Sequence, residues 1–299
     1  MSKLPTLAII GPGRVGTSIG ILAARAGYGV VAVGGRRRDS AVTAARRIGK
    51  DVRACDIADA AKSAKMILLC LPDDAIETVC KELAQQNKFT KGAVVAHSSG
   101  VLSSNILSAA RDCCQCSVAS MHPLQTFPTV DAAIKKMSGT YCFYEGDERA
   151  IPVIERFAKN IGLRPVRIAS TSKTLYHAAA VMACNYFVAL IDSAIVLAEK
   201  AGISRTTAWS ALEPLVATTL NNITQLGTTQ SLTGPIARGD VKTVRRHLQE
   251  LAEMEGYVAS VYRAMGLYTV EMAMRKGSLT AAKAAKIKDL LAGSDSPDF

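Results

Sequence analysis

The chain has 299 residues, 49% hydrophobic and 20% charged, a globular composition with room for two ordinary domains that excludes long disordered stretches. A formal charge of +11 would suit nucleic acid, yet aromatic residues make up 5% and no nucleic-acid module is visible. Small anionic ligands are the expected partners instead.

From the N-terminus, the apolar run 7–10 is too short for a secretory leader and reads as a strand, so a cytoplasmic protein is expected. Strands are expected over 7–10, 30–33, 66–71, 93–96, 118–121, 141–144 and 165–168. Helices are expected between them, over 18–26, 41–48, 75–84, 104–111 and 148–160. Such alternation with short connections predicts a doubly wound, mainly parallel sheet covered on both faces. After Ser170 the strand signal stops, and 173–201, 205–222, 240–253, 256–276 and 280–291 read as helices, with a Thr/Gly/Pro-rich loop over 227–239. The expected division is an α/β domain over 1–170 and an all-α domain over 171–299. The apolar, small-residue stretch 178–197 contains Asn185, Asp192 and Ser193. It is expected as a buried or interface helix, not a membrane span, and makes a homodimer through the helical domain the expected assembly.

Eight cysteines without a leader read as reduced thiols. The cluster Cys113-Cys114-Gln115-Cys116 lacks the paired C-x-x-C spacing of zinc sites, so no metal is expected.

Gly11-Pro12-Gly13-Arg14-Val15-Gly16 follows the first strand directly and opens the first helix. This is the context in which G-x-G-x-x-G works. Gly11 permits the tight turn, Gly13 admits a pyrophosphate to the backbone, and Gly16 lets helix and strand pack. The free N–H groups of the helix start, at Arg14 and Val15 among others, then face the phosphates. A Rossmann-type dinucleotide domain follows. At the end of the second strand, where a carboxylate would hold the ribose of NAD, stands Val33-Gly34-Gly35-Arg36-Arg37-Arg38. A carboxylate repels a 2′-phosphate and guanidinium groups pair with it, so Arg36 and Arg37 point to NADP(H). Asp39 lies late for the ribose role and reads as a helix cap.

Ligands of open α/β sheets lie at the carboxyl ends of the strands. Two motifs fall there, His97-Ser98-Ser99-Gly100 and Met121-His122-Pro123. The hydroxyls of Ser98 and Ser99 suit a carboxylate or the nicotinamide amide, or else cap a turn. On the first helix of the second domain, Lys173, Tyr176, His177, Ala180 and Cys184 fall on one face by spacing, at the domain junction. Asn185 sits further round that helix.

Several stretches carry a resemblance that covers nearly the whole chain. They are the glycine motif, Leu71-Pro72-Asp73-Asp74, residues 97–100 and 122–127, residues 176–180 with Asn185, and Leu232-Thr233-Gly234-Pro235-Ile236-Ala237-Arg238-Gly239-Asp240. The chain resembles the Rossmann-plus-helical superfamily of 6-phosphogluconate dehydrogenase, ketopantoate reductase and pyrroline-5-carboxylate reductase. Within it the chain is similar to the subgroup in which a Rossmann-like domain precedes a C-terminal domain of unknown function, and to PanG-type ketopantoate reductases. The resemblance implies an NADPH-dependent reduction of a small 2-oxo acid, with ketopantoate the leading candidate; an imine reductase of the pyrroline-5-carboxylate reductase type and a non-catalytic NADP(H)-binding protein are the alternatives. A helix-borne lysine, here Lys173, would act at the carbonyl, with His122 and His177 as further candidates. Leu71, Pro72 and Ser98 would lie at the cofactor. Ser99, Asn185, Thr233, Arg238 and Asp240 would lie at the substrate, the last three on a closing loop. Where the superfamily often has Asn one turn after the lysine, this chain has His177, a departure that bears on the substrate.

Overall fold

The computed structural model describes residues 4–254 and 256–293. The first half alternates β1 (Leu7–Ile10), α1 (Arg14–Arg25), β2 (Val30–Gly34), α2 (Arg38–Ile48), β3 (Arg53–Cys55), α3 (Ile57–Lys62), β4 (Met66–Leu69), α4 (Asp73–Gln85) and β5 (Val94–His97). It continues with α5 (Ser108–Cys114), β6 (Ser117–Pro123), α6 (Val130–Met137), β7 (Tyr141–Gly146), α7 (Ile151–Asn160) and β8 (Arg164–Arg167). The rest is helical: α8 (Lys173–Val181), a π-helical turn Met182–Tyr186, α9 (Phe187–Lys200), α10 (Arg205–Ser231), α11 (Val241–Ala252), α12 (Val258–Lys276) and α13 (Ala281–Ala292).

Among the described residues eight strands form one sheet in the order β3-β2-β1-β4-β5-β6-β7-β8. Every neighbouring pair is parallel except β6 and β7. This is the Rossmann-type, mainly parallel sheet expected, and its order reverses between β1 and β4, where ligand crevices form. Alternate residues of the central strands β1, β4 and β5 enter two separate cores, one per face. Ile9 and Leu68 pack with Ile19 and Phe157, while Ile10 and Leu69 pack with Ile76 and Leu107. With helices on both faces, the central strands are apolar throughout rather than alternating.

Three elements left no signal in the sequence. The edge strand β3 is three residues long, and its Arg53 is exposed, so no apolar run marks it. The helix α3 that follows is six residues long, and α6 is eight; each starts on a side-chain cap, Asp56 and Thr129 respectively.

The chain divides into two compact units between Ala183 and Cys184. That is later than the break after 170 suggested by the end of the strand signal. The reason is Lys173, whose side chain bonds Ser99 and Ser120 and so ties α8 to the sheet unit. The core of the second unit joins Val244 and Leu248 of α11, Val270 and Ala273 of α12, and Ile287 and Leu291 of α13. Helix α10 kinks at Gly227, where φ is +75°, and continues to Ser231. The segment expected as a loop from 227 therefore begins with a helical turn. Its terminal carbonyls find a partner in Lys276, whose Nζ donates to Gln230 and Leu232 O at 2.9 and 2.8 Å.

The stretch Ser170–Lys200, with a mean hydropathy of 1.9 in its most apolar window, is long and apolar enough to cross a membrane. That window is 6% buried, so this helix is not core, which corrects one of the two expectations for 178–197.

Candidate functional site

The glycine turn forms a dinucleotide-sized cradle at the carboxyl end of β1. Gly11 has φ +104°, and a Cβ there would lie 2.2 Å from the Cys70 carbonyl oxygen. A Cβ on Gly16 would lie 2.3 Å from the Gly11 carbonyl oxygen. Both positions therefore exclude side chains. At Gly13 a Cβ would meet no described atom within 4 Å. That open approach is what a pyrophosphate needs, and no side chain among the described residues caps the start of α1. A cleft of about 530 Å³ opens there, lined by Gly11, Gly13, Arg36, Arg37, Leu71 and Pro72 among others. Ser40 lines it as well, a residue that sequence reasoning left out. The residues present fit a phosphorylated dinucleotide. Val15 is half-buried in the first turn of α1. Arg14 instead donates to the carbonyls of Phe127 and Pro128 at 3.1 and 3.2 Å, tying the glycine turn to the 124–129 loop. Asp39 lies in the first turn of α2, where a carboxylate suits the helix dipole.

A second polar group occupies the same sheet edge at β5 and β6. His97 ends β5 fully buried; its Nδ1 accepts the Ser99 N–H at 3.1 Å, and its Nε2 donates to the Ser103 carbonyl at 3.2 Å. Burial holds His97 down at about 3, so it is a neutral clasp on the 99–103 loop. The Ser99 hydroxyl accepts from the N–H groups of Val101 and Leu102, a turn cap. Ser98 bonds the thiol of half-buried Cys70, which desolvation pushes up to about 12. Beyond the register pair His97 and Ser120, β6 continues to His122, which bonds the Tyr176 hydroxyl through Nδ1 at 2.9 Å. Burial, with Lys173 next, holds His122 down at about 4. The Tyr176 ring lies against Phe143, with centroids 4.4 Å apart. His177 packs edge-on to His122 at 5.8 Å, and its Nδ1 is buried without a hydrogen-bond partner among the described residues. Gly100 makes room for both rings, since a Cβ there would lie 2.5 Å from His177 Nδ1 and 3.0 Å from His122.

Lys173 is 1% exposed. Its Nζ donates to the Ser99 carbonyl at 2.9 Å and to the Ser120 hydroxyl. Burial lowers it to about 8, opposed by the charge of Glu145. Glu145, itself buried, accepts from the N–H and hydroxyl of Ser104 at 2.7 and 2.8 Å. The expectation that Lys173 presents its ammonium to a substrate is therefore corrected: the side chain points into the sheet unit.

The remaining expected substrate residues lie in the second unit. Asn185 is exposed in the π-helical turn, and Thr233 and Arg238 are exposed ahead of α11. Asp240 is the N-cap of α11, its oxygens accepting from Thr243 N–H at 3.0 Å and Thr243 hydroxyl at 2.7 Å. Sequence reasoning gave Ser120 and Glu145 no part. Neither stands in a motif, and strand register alone, which pairs Ser120 with both His97 and Glu145, brings them to this edge.

Residues 3–123 match the family model of a Rossmann-like domain, and residues 140–269 match that of a domain of unknown function, DUF2520. No curated protein matches by sequence. Among solved structures, the chain is similar to protein TM1727 from Thermotoga maritima at 25% identity, with 91% of this chain and 100% of that one covered and a TM-score of 0.67. A reductive aminase from Aspergillus terreus in complex with NADPH shares the fold at 14% identity, 97% and 93% coverage and a TM-score of 0.59. A pyrroline-5-carboxylate reductase from Coxiella burnetii does so at 15% identity, 96% and 99% coverage and a TM-score of 0.56.

Proposed function

We propose that the protein is an NADPH-dependent oxidoreductase that reduces the carbonyl of a small 2-oxo acid, with 2-dehydropantoate the leading candidate. The observation that carries this reading is the shared sheet edge. An open glycine cradle flanked by Arg36 and Arg37 stands at β1 and β2, and the His122–Tyr176–His177 group stands at β5 and β6. When bound, the dinucleotide supplies the hydride. The chain's own residues hold its phosphates, exclude water and provide a proton at the carbonyl oxygen, where negative charge develops. The positive net charge favours an anionic substrate.

Imine reduction of the pyrroline-5-carboxylate reductase type is the second reading. The reductive aminase and pyrroline-5-carboxylate reductase folds favour it. We further infer that the helical unit carries a homodimer interface.

Oxidation of NADPH across a panel of small oxo acids and cyclic imines tests the reading. Turnover of an oxo acid is the expected result; turnover of imines alone would select the second reading, and none with either class would overturn both. In the same assay, replacing Arg36 and Arg37 by Ala should weaken NADPH by about 1.5–3 kcal/mol per lost charge-assisted bond and leave NADH nearly unchanged. Equal losses for the two cofactors would mean these arginines do not read the 2′-phosphate.

A further inference from the structure

We infer that Tyr176 delivers the proton to the reduced substrate, with His122 as the partner that recharges it. The inference rests on the reductase reading above and assigns the acid within it.

Five groups near this edge could give a proton, and the structure separates them. His177 has no hydrogen-bond partner at its buried Nδ1 among the described residues, so no bond there places a proton or recharges it. Lys173 is closed off: its Nζ is bonded to Ser99 and Ser120 beneath the 98–100 turn. His97 spends both ring nitrogens on its own loop. His122 is held neutral by burial, so its imidazolium is scarce at neutral pH and its Nδ1 already faces Tyr176. Tyr176 is half-buried, with its hydroxyl placed by the 2.9 Å bond to His122 and its ring fixed against Phe143. Burial pushes its phenol upward, so it is fully protonated at neutral pH. An alkoxide is more basic than a phenolate, so the transfer runs downhill.

The step balances. The dinucleotide held at the glycine cradle would supply the hydride for the new C–H bond, and the carbonyl π pair would move to oxygen. That oxygen takes the Tyr176 proton as the phenolic O–H bond breaks. With its proton on Nδ1, His122 donates to the phenolic oxygen, leaving the tyrosine O–H free for substrate. After transfer, the Nδ1 proton passes to the phenolate while Nε2 accepts one from water. The net change is one hydride from the cofactor and one proton from solvent.

Tyr176→Phe keeps the ring against Phe143 and removes the hydroxyl alone. Expected are unchanged NADPH affinity by fluorescence titration, an unchanged melting temperature, and a single-turnover rate lowered about 10²–10⁴-fold. A readout independent of turnover is the ¹⁵N spectrum of the His122 ring in the cofactor-free protein, assigned with His122→Gln. Loss of the phenol should shift its Nδ1 resonance. A Tyr176→Phe rate near the parent's, or an unshifted His122 resonance, overturns the proposal while the reductase reading stands. A parent enzyme that turns over no oxo acid or imine overturns that reading, and this proposal with it.

Discussion

At Lys173 an ammonium group lies under the start of α8, 1% exposed, between the Ser99 carbonyl and the Ser120 hydroxyl. Its value near 8 is the cost of burial, offset in part by Glu145. Because folding lowers it below the ordinary lysine range, the unfolded chain holds more protons from about pH 8 upward. Stability contributed through this residue therefore rises with pH across that window, and the full burial cost is present below pH 8. Lys173→Met removes the titration, so between pH 8 and the ordinary lysine range the parent should gain up to about 3 kcal/mol relative to the variant. Chemical denaturation of both proteins at several pH values reads this directly. A difference that stays constant with pH would show that Lys173 is not buried in this way. The neutral histidines His97 and His122 act in the same direction at lower pH: protons they refuse when folded bind the unfolded chain, so the stability they contribute is lost as pH falls through the ordinary histidine range toward their folded values of about 3 and 4.

The β1–turn–α1 element separates two kinds of glycine. Gly13 has φ −77° and ψ −175°, a conformation open to any residue, and a methyl there meets free space. Gly13→Ala should cost less than about 1 kcal/mol of stability. The methyl would nevertheless stand where a pyrophosphate must approach, so NADPH affinity should fall at least tenfold. Gly16→Ala forces a methyl to 2.3 Å from the Gly11 oxygen, against backbone that cannot rotate away. It should destabilise by about 1–3 kcal/mol, the usual cost of overpacking. Paired melting curves and cofactor titrations distinguish the two. Equal NADPH binding by the parent and Gly13→Ala would remove the pyrophosphate from this turn. The same logic explains why α8 carries the reactive group: Lys173 anchors its first turn, and Tyr176 and His177 follow at the spacing that returns them to the sheet edge.

For the whole molecule, the helical unit exposes Tyr186, Val188, Leu190, Leu215, Leu220 and Leu226, all large and apolar. Surface of this kind on one chain marks a partner. We propose that the partner is a second copy of the chain. Sedimentation at micromolar concentration should give a dimer, and Val188→Glu with Leu220→Glu should shift it to monomer. A stable parent monomer would overturn the dimer, and flotation of that monomer with lipid vesicles would assign the face to a membrane.

By itself the sequence determined the features that rest on local chemistry. A G-x-G-x-x-G turn between strand and helix is legible from its spacing, strands covered on both faces read as continuous apolar runs, and three successive arginines mark the end of β2. Tertiary structure decided what depends on which side chains meet. Helical spacing placed Lys173, Tyr176 and His177 on one face of α8, yet it could not say that the lysine points into the sheet unit while the phenol meets His122. Pairing of β5 with β6 brings Ser120 beside His97, and folding carries Lys173 to Ser120 from 53 residues away. The burial that makes one amine a structural tie, and leaves a phenol as the proton donor we infer, is a property of packing across strands and has no signature at any one position.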